Sequence, residues 1–307
     1  MASGRSTCVF AVICVASALG LPARPAEHAL TSEHTALVES TKKAASSIDD
    51  PTAVVLSAFI AVPPGASDRV SRFHVDTEIF RRNHAAYARR HGYVYADEDQ
   101  CYERLARRNN GSDTANVVPL PLDFVAPPAW AKVYKLLQCM SAFQSAHHLL
   151  WIDGDALLAS PNVSLASKAS EVFATDDDEC CVAVTSDTDS ATAPAWDAAR
   201  ARREAKVNTG VMLLRNGACA RRVFTSVHAR RKEANRFSYT WEQDVIRAVM
   251  RDHPESFCVA PPRALQSFTR NDAPAAFAYA EGDFIAHFTM DGANPLAKRL
   301  AQTTKLR

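Results

Sequence analysis

The sequence predicts an α/β fold in which a mainly parallel central sheet carries helices on both faces. Short apolar segments of strand length alternate along the chain with longer segments of helical period, and this alternation is typical of parallel sheets. Residues 149–152, Leu-Leu-Trp-Ile, are the clearest such segment, because a continuous apolar run indicates a strand buried on both faces. The chain has 307 residues, of which 47% are apolar, so it can hold one large domain or two small ones.

The net charge of the chain is +1, which gives it no general attraction for nucleic acid or for acidic membranes. The first 22 residues are typical of a secretory signal peptide or signal anchor, because Arg5 precedes a largely apolar segment, 8–21, that is short for a full membrane span. Cleavage after a small-residue signal at 16–18 would release the protein into the lumen, whereas retention would leave a type II membrane protein. Residues 23–50 lack a steady period and are interpreted as a stem or linker.

Two further features fit a secretory route. Asn110 and Asn162 each begin an Asn-x-Ser glycosylation triplet. Of the eight cysteines, six follow the leader. An even number of cysteines in an oxidising compartment permits disulfides, but the sequence does not give their pairing.

The first half of the folded region reads as strand, helix, strand, loop and helix. The predicted elements are a strand at 53–60, a helix at 75–91 closed by Gly92, a strand at 93–95, a polar loop at 107–128 and a helix from Pro128. In the last helix a stripe of apolar residues recurs at helical spacing, which is typical of core packing. Its members are Trp130, Val133, Leu136, Leu137, Met140 and Phe143.

Asp153 and Asp155 follow the apolar strand directly, and open α/β sheets bind their ligands at the carboxyl ends of strands. Two carboxylates this close repel each other unless a cation lies between them. Oxygen ligands favour a hard divalent ion, Mn²⁺ or Mg²⁺, which would serve a phosphate-bearing substrate. The alternative is an ordinary Asp-Gly-Asp surface turn, but the apolar residues on both sides argue against an exposed turn.

The second half supplies further candidate residues. The predicted elements are a strand at 181–185, a loop or short helix at 186–206, a strand at 207–216, a basic helix at 218–234, a helix from Trp241 and a strand at 282–288. Asn208, Thr209 and Gly210 begin the strand at 207–216 and either face a ligand or form a simple entry turn. The carboxylates of Glu242 and Asp244 suit a helix amino terminus. His287 becomes a metal ligand only if it meets the two aspartates.

The order of these short motifs resembles glycosyltransferase family 34, the galactosyl-, mannosyl- and xylosyltransferases. The resemblance covers residues 53–300. It is carried by the following segments: Tyr-Ala-Arg-Arg-His-Gly-Tyr at 87–93, Trp-Ala-Lys at 130–132, Leu-Trp-Ile-Asp-Gly-Asp-Ala at 150–156, Val-Asn-Thr-Gly-Val at 207–211, Glu-Gln-Asp at 242–244 and Gly-Asp-Phe-Ile-Ala-His-Phe at 282–288. It implies a GT-A domain at 51–303, a Rossmann-like nucleotide-sugar fold, with Mn²⁺ dependence, retention of anomeric configuration and a Golgi location.

The resemblance also implies roles for individual residues. The implied metal ligands are Asp153, Asp155 and His287, and the implied catalytic residues are Gln243 and Asp244. The implied substrate-binding residues are Ser57, Lys132, Asp153, Asn208, Thr209, Gly210 and Lys298. The sequence departs from the family after His287, where Phe-Thr-Met-Asp-Gly stands in place of Phe-Ala-Gly; this departure concerns the loop that closes on the diphosphate and the reach of Lys298.

We therefore expect a Mn²⁺-dependent, or alternatively Mg²⁺-dependent, retaining transferase in the Golgi or ER lumen. It would move a hexose or pentose from a UDP- or GDP-sugar to a glycan or glycoprotein acceptor, and it would meet the membrane only through an uncleaved N-terminal segment. The alternatives are a non-catalytic sugar-binding relative, a retaining transferase of the glycogenin and galactinol synthase type, and a haloacid dehalogenase phosphatase. The sequence leaves the sugar, the nucleotide, the acceptor and the linkage open.

Overall fold

The structure is a computed structural model that describes residues 51–58, 77–96, 100–108, 128–174, 180–187, 198–233, 241–269 and 273–289. The predicted leader at 1–22 and stem at 23–50 lie outside the described residues, as do Asn110 and Lys298. Among the described residues no helix is long and apolar enough to cross a membrane.

The centre of the molecule is a six-stranded sheet in the order β2-β1-β3-β6-β5-β7. Its strands are β1 (Ala53–Ala58), β2 (Val94–Ala96), β3 (His148–Asp153), β5 (Val182–Ser186), β6 (Val207–Arg215) and β7 (Phe257–Ala260). Five strands run in one direction, and β6 runs antiparallel to both of its neighbours, β3 and β5. The prediction of a mainly parallel central sheet is thus confirmed.

Seven α-helices lie within the described residues, and they cover both faces of this sheet. They are α1 (Thr77–His91), α2 (Gln100–Arg108), α3 (Ala131–Ala142), α4 (Leu165–Val172), α5 (Ala198–Glu204), α6 (Ala218–Ala229) and α7 (Trp241–Asp252). Alternate residues of each strand face opposite clusters: Leu149 and Trp151 pack with α3, α6 and α7, whereas Leu150 and Ile152 pack with α1 and α4. This two-sided burial explains why β3 is apolar throughout.

A second sheet of three strands stands beside the carboxyl end of β3. It contains β4 (Ala156–Leu158), β9 (Ile285–His287) and β8 (Ser267–Phe268), in that order. The strands β4 and β9 are antiparallel, and Ala156 is paired with His287. The chain leaves the central sheet at Asp153 and enters the second sheet at Ala156, so the two aspartates lie at the junction of the two sheets.

Most predicted elements are present, with several differences. Helix α1 ends at His91 as predicted, and Gly92 follows it with a φ of +66°. Helix α2 was not predicted, although its apolar residues Cys101, Tyr102, Leu105 and Ala106 recur at helical spacing. Helix α6 is shorter than predicted. The residues 208–210 lie inside β6, so the entry turn considered above is wrong.

The six cysteines of the folded region form three disulfides, Cys101–Cys139, Cys180–Cys258 and Cys181–Cys219. The first joins α2 to α3, the second joins the start of β5 to β7, and the third joins the start of β5 to α6. Because Cys180 and Cys181 are neighbours on an extended segment, their side chains point to opposite faces of the sheet. Three disulfides fit a protein of the secretory lumen.

Candidate active site

Asp153, Asp155 and His287 converge at the junction of the two sheets. Each offers one ligand atom, and these atoms all lie within 4.8 Å of one another. The imidazole Nε2 of His287 is 3.2 Å from Asp155 Oδ1. Burial disfavours a charged imidazole, but the Asp155 carboxylate and its hydrogen bond hold the pKa of His287 above its ordinary value. The predicted meeting of the three residues is therefore present in the structure.

Sheet pairing explains how residues so distant in the chain meet. Asp153 is the last residue of β3, and Asp155 directly precedes β4. Since Ala156 is paired with His287, the histidine lies beside the aspartate that precedes Ala156. The amide of Phe288 also donates to the carbonyl oxygen of Asp155, at 2.9 Å.

This donor set fits a hard divalent cation. The two carboxylates are ligands that suit Mn²⁺ or Mg²⁺, and the imidazole is a ligand for divalent transition metals. Neighbouring ligands of an octahedral ion with bonds near 2.1 Å lie about 3 Å apart, which agrees with the 3.2 Å between Asp155 and His287. The group can hold one metal ion.

A buried network of ion pairs around Lys132 holds the Asp153 carboxylate in place. The Lys132 ammonium lies 3.1 Å from Asp153 Oδ1 and 2.8 Å from Glu242 Oε1, and it donates to the carbonyl of Thr209 at 3.0 Å. An ammonium has three donors, so these acceptors account for all of them. The indole nitrogen of Trp151 donates to the same Asp153 oxygen at 2.6 Å. Two donors thus fix the position of Asp153.

The electrostatics of Lys132 and Glu242 follow from this arrangement. Burial opposes charge on Lys132, but Asp153 and Glu242 together raise the pKa of its ammonium. Burial raises the pKa of Glu242, against the pull of Lys132. The structure gives Lys132 three protein acceptors, and these contacts suit it to holding Asp153 in position. Its contact with substrate stays a prediction.

Gly210 lies directly against His287, one of the three candidate metal ligands. A Cβ atom on Gly210 would stand 2.2 Å from His287 Cε1, a distance that no side chain tolerates. A group does approach this glycine closely, as expected, and in the structure that group is the imidazole of His287. The Asn208 side-chain oxygen accepts from the Gly210 amide at 2.9 Å, so the amide nitrogen of Asn208 is the part of this side chain that remains for a sugar.

The amino terminus of α7 reaches the same region. Gln243 Oε1 accepts a hydrogen bond from the Thr209 amide at 2.8 Å and lies 3.3 Å from the Thr209 hydroxyl. Asp244 is more open, with 41% of its side chain exposed, and it lies 3.7 Å from an Arg247 nitrogen. Gln243 is therefore tied to β6, whereas Asp244 has access to solvent.

The remaining predicted residues lie near the site or outside the described chain. Ser57 is buried at the end of β1, where its hydroxyl lies 3.0 Å from the Tyr95 hydroxyl, and its neighbour Ala58 pairs with Asp153. Its contact with substrate stays a prediction.

Asn162 is exposed just before α4, as a glycosylation site must be.

A cleft of about 840 Å³ lies elsewhere, lined by Gln144, Asn216 and Arg221 among others. The Asn216 amide donates to the carbonyl of His147, which places this cleft at the amino end of β3. The site of Asp153 is at the opposite end of that strand, roughly 17 Å away. The cleft is therefore separate from the metal group.

Two buried residues of the site, Glu242 and Gln266, were not predicted from the sequence. Glu242 shares its helix face with Val245, Ile246 and Val249, and this 3.6-residue period could have shown that it points inward. Gln266 is fully buried, and its Oε1 lies 2.8 Å from His287 Nδ1. It follows no motif, so nothing in the sequence marks it.

Comparison with known proteins decides the family. Residues 52–294 match the galactosyl transferase GMA12/MNN10 family. The chain belongs to this family. No curated protein sequence matches the chain. Membership in the GMA12/MNN10 family makes the chain a glycosyltransferase and removes the phosphatase alternative.

One solved structure agrees with the family at the level of fold. A glycosyltransferase involved in the glycosylation of the major capsid of PBCV-1 has a TM-score of 0.50 and 16% identity, covering 83% of this chain and 100% of that one. Mouse xyloside xylosyltransferase 1, in its apo form, has a TM-score of 0.40 and 12% identity, covering 80% and 100%. The first shows that this GMA12/MNN10 family member has a GT-A-type glycosyltransferase fold.

Proposed function

We propose that the protein is a metal-dependent, retaining glycosyltransferase that moves a hexose or pentose from a nucleoside diphosphate sugar, UDP- or GDP-linked, to a glycan or glycoprotein acceptor. The proposed cofactor is Mn²⁺, for which Mg²⁺ can substitute. One observation carries the proposal: the ligand atoms of Asp153, Asp155 and His287 lie within 4.8 Å of one another.

The three ligands would hold the metal where two phosphates can reach it. The bound metal ion supplies positive charge that stabilises the diphosphate leaving group. Asp155 and His287 are the principal ligands and Asp153 assists them, its position fixed by Lys132 and Trp151. The buried Lys132–Glu242 pair keeps this support rigid, because either charge would be costly to bury alone.

The sugar is proposed to lie against β6 and α7. The Asn208 amide nitrogen, Thr209 and Gly210 would face it from β6. Gln243 Oε1 is committed to Thr209, so Gln243 would orient the sugar through the rest of its amide. Asp244, which is half exposed, would steady the developing positive charge at the anomeric carbon or orient the acceptor.

Retention is proposed to proceed by attack of the acceptor on the same face from which the diphosphate leaves. A double displacement would need a free carboxylate as nucleophile. Asp153 and Glu242 are both paired with Lys132, so neither is offered for that role. Asp244 is assigned above to the developing positive charge or to the acceptor, and not to a covalent bond with the sugar. Same-face attack requires only that the sugar, the diphosphate and the acceptor be held together.

We also propose that the enzyme works in the lumen of the Golgi or ER. The proposed organisation is a signal peptide or anchor at 1–22, a stem at 23–50 and a catalytic domain at 51–303. Three disulfides and the exposed Asn162 support this location. The proposed substrate role of Lys298 belongs to the segment after residue 294, where the family match ends.

A donor screen tests the function. The purified chain would be incubated with a panel of UDP- and GDP-sugars and Mn²⁺, with and without chelator, and release of nucleoside diphosphate would be measured. We expect turnover of one donor that stops on chelation. Asp155→Ala should reduce it by about 1000-fold with the fold intact, whereas Asp252→Ala, which removes an exposed carboxylate, should not. Undiminished turnover in Asp155→Ala would refute the metal assignment.

A further inference from the structure

We propose that the buried side chain of Gln266 and the partly buried side chain of Asn208 form a hydrogen-bonded relay that holds a hydrogen on Nδ1 of His287 and so leaves Nε2 for the metal. The proposal rests on the function proposed above, and it makes Gln266 and Asn208 positioning residues. Gln266 is fully buried between the two partners. Its Oε1 is 2.8 Å from His287 Nδ1, and its Nε2 is 3.1 Å from Asn208 Oδ1.

The direction of the relay is set by the main chain. The amide of Gly210 can only donate, and it lies 2.9 Å from the side chain of Asn208. The Asn208 atom that faces it must therefore be the acceptor oxygen. A rotated Asn208 amide would place its NH₂ group against the Gly210 N–H, so that two donors would face each other.

The remaining assignments follow from that oxygen. Asn208 Oδ1 also faces Gln266 at 3.1 Å. Since an oxygen only accepts, the Gln266 atom there must be its NH₂ group. The Gln266 oxygen is then the atom that faces His287 Nδ1, and Nδ1 must carry the hydrogen. Each orientation is therefore derived from a backbone N–H and not from an arbitrary choice of amide rotamer.

A neutral imidazole has one N–H and one lone pair. With Nδ1–H donated to Gln266, Nε2 is the ring atom left for a metal, and it lies 3.2 Å from Asp155 Oδ1. In the metal-free protein Nε2 can carry the second proton of an imidazolium and donate it to Asp155, and a bound metal would take the place of that proton. The relay thus aims the ligand atom of His287 at the carboxylates before any metal arrives. Hydrogen bonds of this kind from outside the ligand set orient metal-binding histidines and raise their basicity.

The relay gives the segment from Asn208 to Gly210 a role at the metal end of the site. Gly210 contributes its N–H to Asn208, and its lack of a side chain leaves room for the imidazole. Both features serve His287. The same tripeptide can still contact the sugar through the Asn208 amide nitrogen.

The first measurement is the tautomer of His287 in the metal-free purified chain. Two-bond ¹⁵N–¹H NMR spectra at alkaline pH distinguish Nδ1–H from Nε2–H, and the His287 signals are identified by their loss in His287→Asn. We expect Nδ1–H in the wild-type protein. Gln266→Met and Asn208→Leu should lose this preference, whereas Asn208→Asp should keep it, because its carboxylate still accepts from Gly210 and Gln266.

The second measurement is the Mn²⁺ affinity of the same variants by calorimetry. Gln266→Met should weaken Mn²⁺ binding by about 10- to 100-fold. Asn216→Leu is the matched control. Asn216 directly follows β6, at the opposite end of that strand from Asn208, and its side-chain amide donates two hydrogen bonds, to the carbonyl oxygens of Phe143 and Ala146. This substitution removes a comparable pair of bonds and should leave the Mn²⁺ affinity unchanged.

The outcomes separate this proposal from the proposed function. An Nε2–H tautomer in wild type, or equal Mn²⁺ affinity in wild type and Gln266→Met, would overturn the relay. Absence of Mn²⁺ binding in wild type, with Nδ1–H present and lost in Gln266→Met, would support the relay and contradict the metal-dependent function.

Discussion

Gly210 shows how one missing side chain shapes the site. A Cβ at this position would stand 2.2 Å from His287 Cε1 and 3.0 Å from its Nδ1. His287 cannot retreat easily, because it is buried and its Nδ1 is bonded to Gln266. We therefore expect a side chain at position 210 to displace the His287 imidazole.

We predict that Gly210→Ala weakens Mn²⁺ binding by more than tenfold, because the imidazole must move away from Asp155. Calorimetric titration of the purified chain measures this. The control is Gly217→Ala, where an added Cβ meets nothing within 4 Å. Equal affinity in Gly210→Ala and wild type would show that the imidazole has room to shift without leaving the metal.

The pair of Lys132 and Glu242 illustrates a second kind of residue-scale constraint. Both side chains are almost fully buried, with 4% and 7% of their surfaces exposed. A buried ion pair is weak support for stability as such, but it is costly to break by removing one partner. The pair matters for the geometry of the site, because the Lys132 ammonium that pairs with Glu242 also holds the Asp153 carboxylate in position.

At the scale of elements, α1 covers β4, the edge strand of the second sheet, and bonds to its backbone. Asn83 accepts from the Leu158 amide and donates to its carbonyl, at 2.8 and 3.1 Å, as a neighbouring strand would. His84 Nε2 lies 2.8 Å from the carbonyl of Ala156, and since a carbonyl only accepts, this nitrogen is the donor. Helix α1 thus fixes the strand that directly follows Asp155.

The burial of His84 makes stability depend on pH. Burial lowers the pKa of His84 from 6.5 to about 4, so the unfolded chain binds a proton more readily. The contribution of His84 is complete above pH 6.5 and is lost as the pH falls towards 4. The shift corresponds to roughly 3 kcal/mol.

We predict that His84→Gln, which keeps a donor for Ala156 but does not titrate, loses about 3 kcal/mol less stability than wild type between neutral pH and pH 4. Urea unfolding at a series of pH values measures the difference. His253→Gln, at an exposed histidine, serves as the control. If the two variants show the same acid dependence, His84 is not the group responsible.

At the scale of the whole molecule, most strands and helices could be predicted from the sequence, whereas the buried side chains that hold the three candidate ligands in place were not predicted. Asp153 and Asp155 could be found because they stand at the end of an apolar strand, which is visible as a run, whereas His287 was implied as a ligand by the resemblance to glycosyltransferase family 34. Glu242 was read as a helix-dipole residue although its spacing to Val245 and Ile246 placed it inside. Gln266 could not be found, because a hydrogen bond between distant side chains depends on the packing of two sheets.

The disulfide pairing also required the structure. Cys180 and Cys181 are adjacent, so the sequence does not tell which of them meets Cys258 and which meets Cys219. The fold decides, because Cys180 and Cys258 lie on one face of the central sheet, whereas Cys181 lies on the other face, against which Cys219 packs.

Both disulfides of β5 lie at the end of the sheet opposite Asp153. Cys181 bonds through its backbone to Arg215, which pairs with His148 at the start of β3. A disulfide stabilises chiefly by restricting the unfolded chain, and more so for a longer loop. The separations are 78 residues for Cys180–Cys258 and 38 for Cys181–Cys219.

We therefore predict that replacing either pair with alanine lowers the free energy of unfolding by about 4 kcal/mol, with the larger loss for Cys180–Cys258, while the Mn²⁺ affinity of the folded protein is unchanged. Denaturant unfolding and calorimetry on the same samples measure both quantities. Because the metal ligands are anchored by the second sheet and by Lys132, they do not depend on bonds at the far end of the central sheet. A parallel loss of Mn²⁺ affinity in the folded variants would contradict this, since it would mean that the two ends of the sheet are coupled.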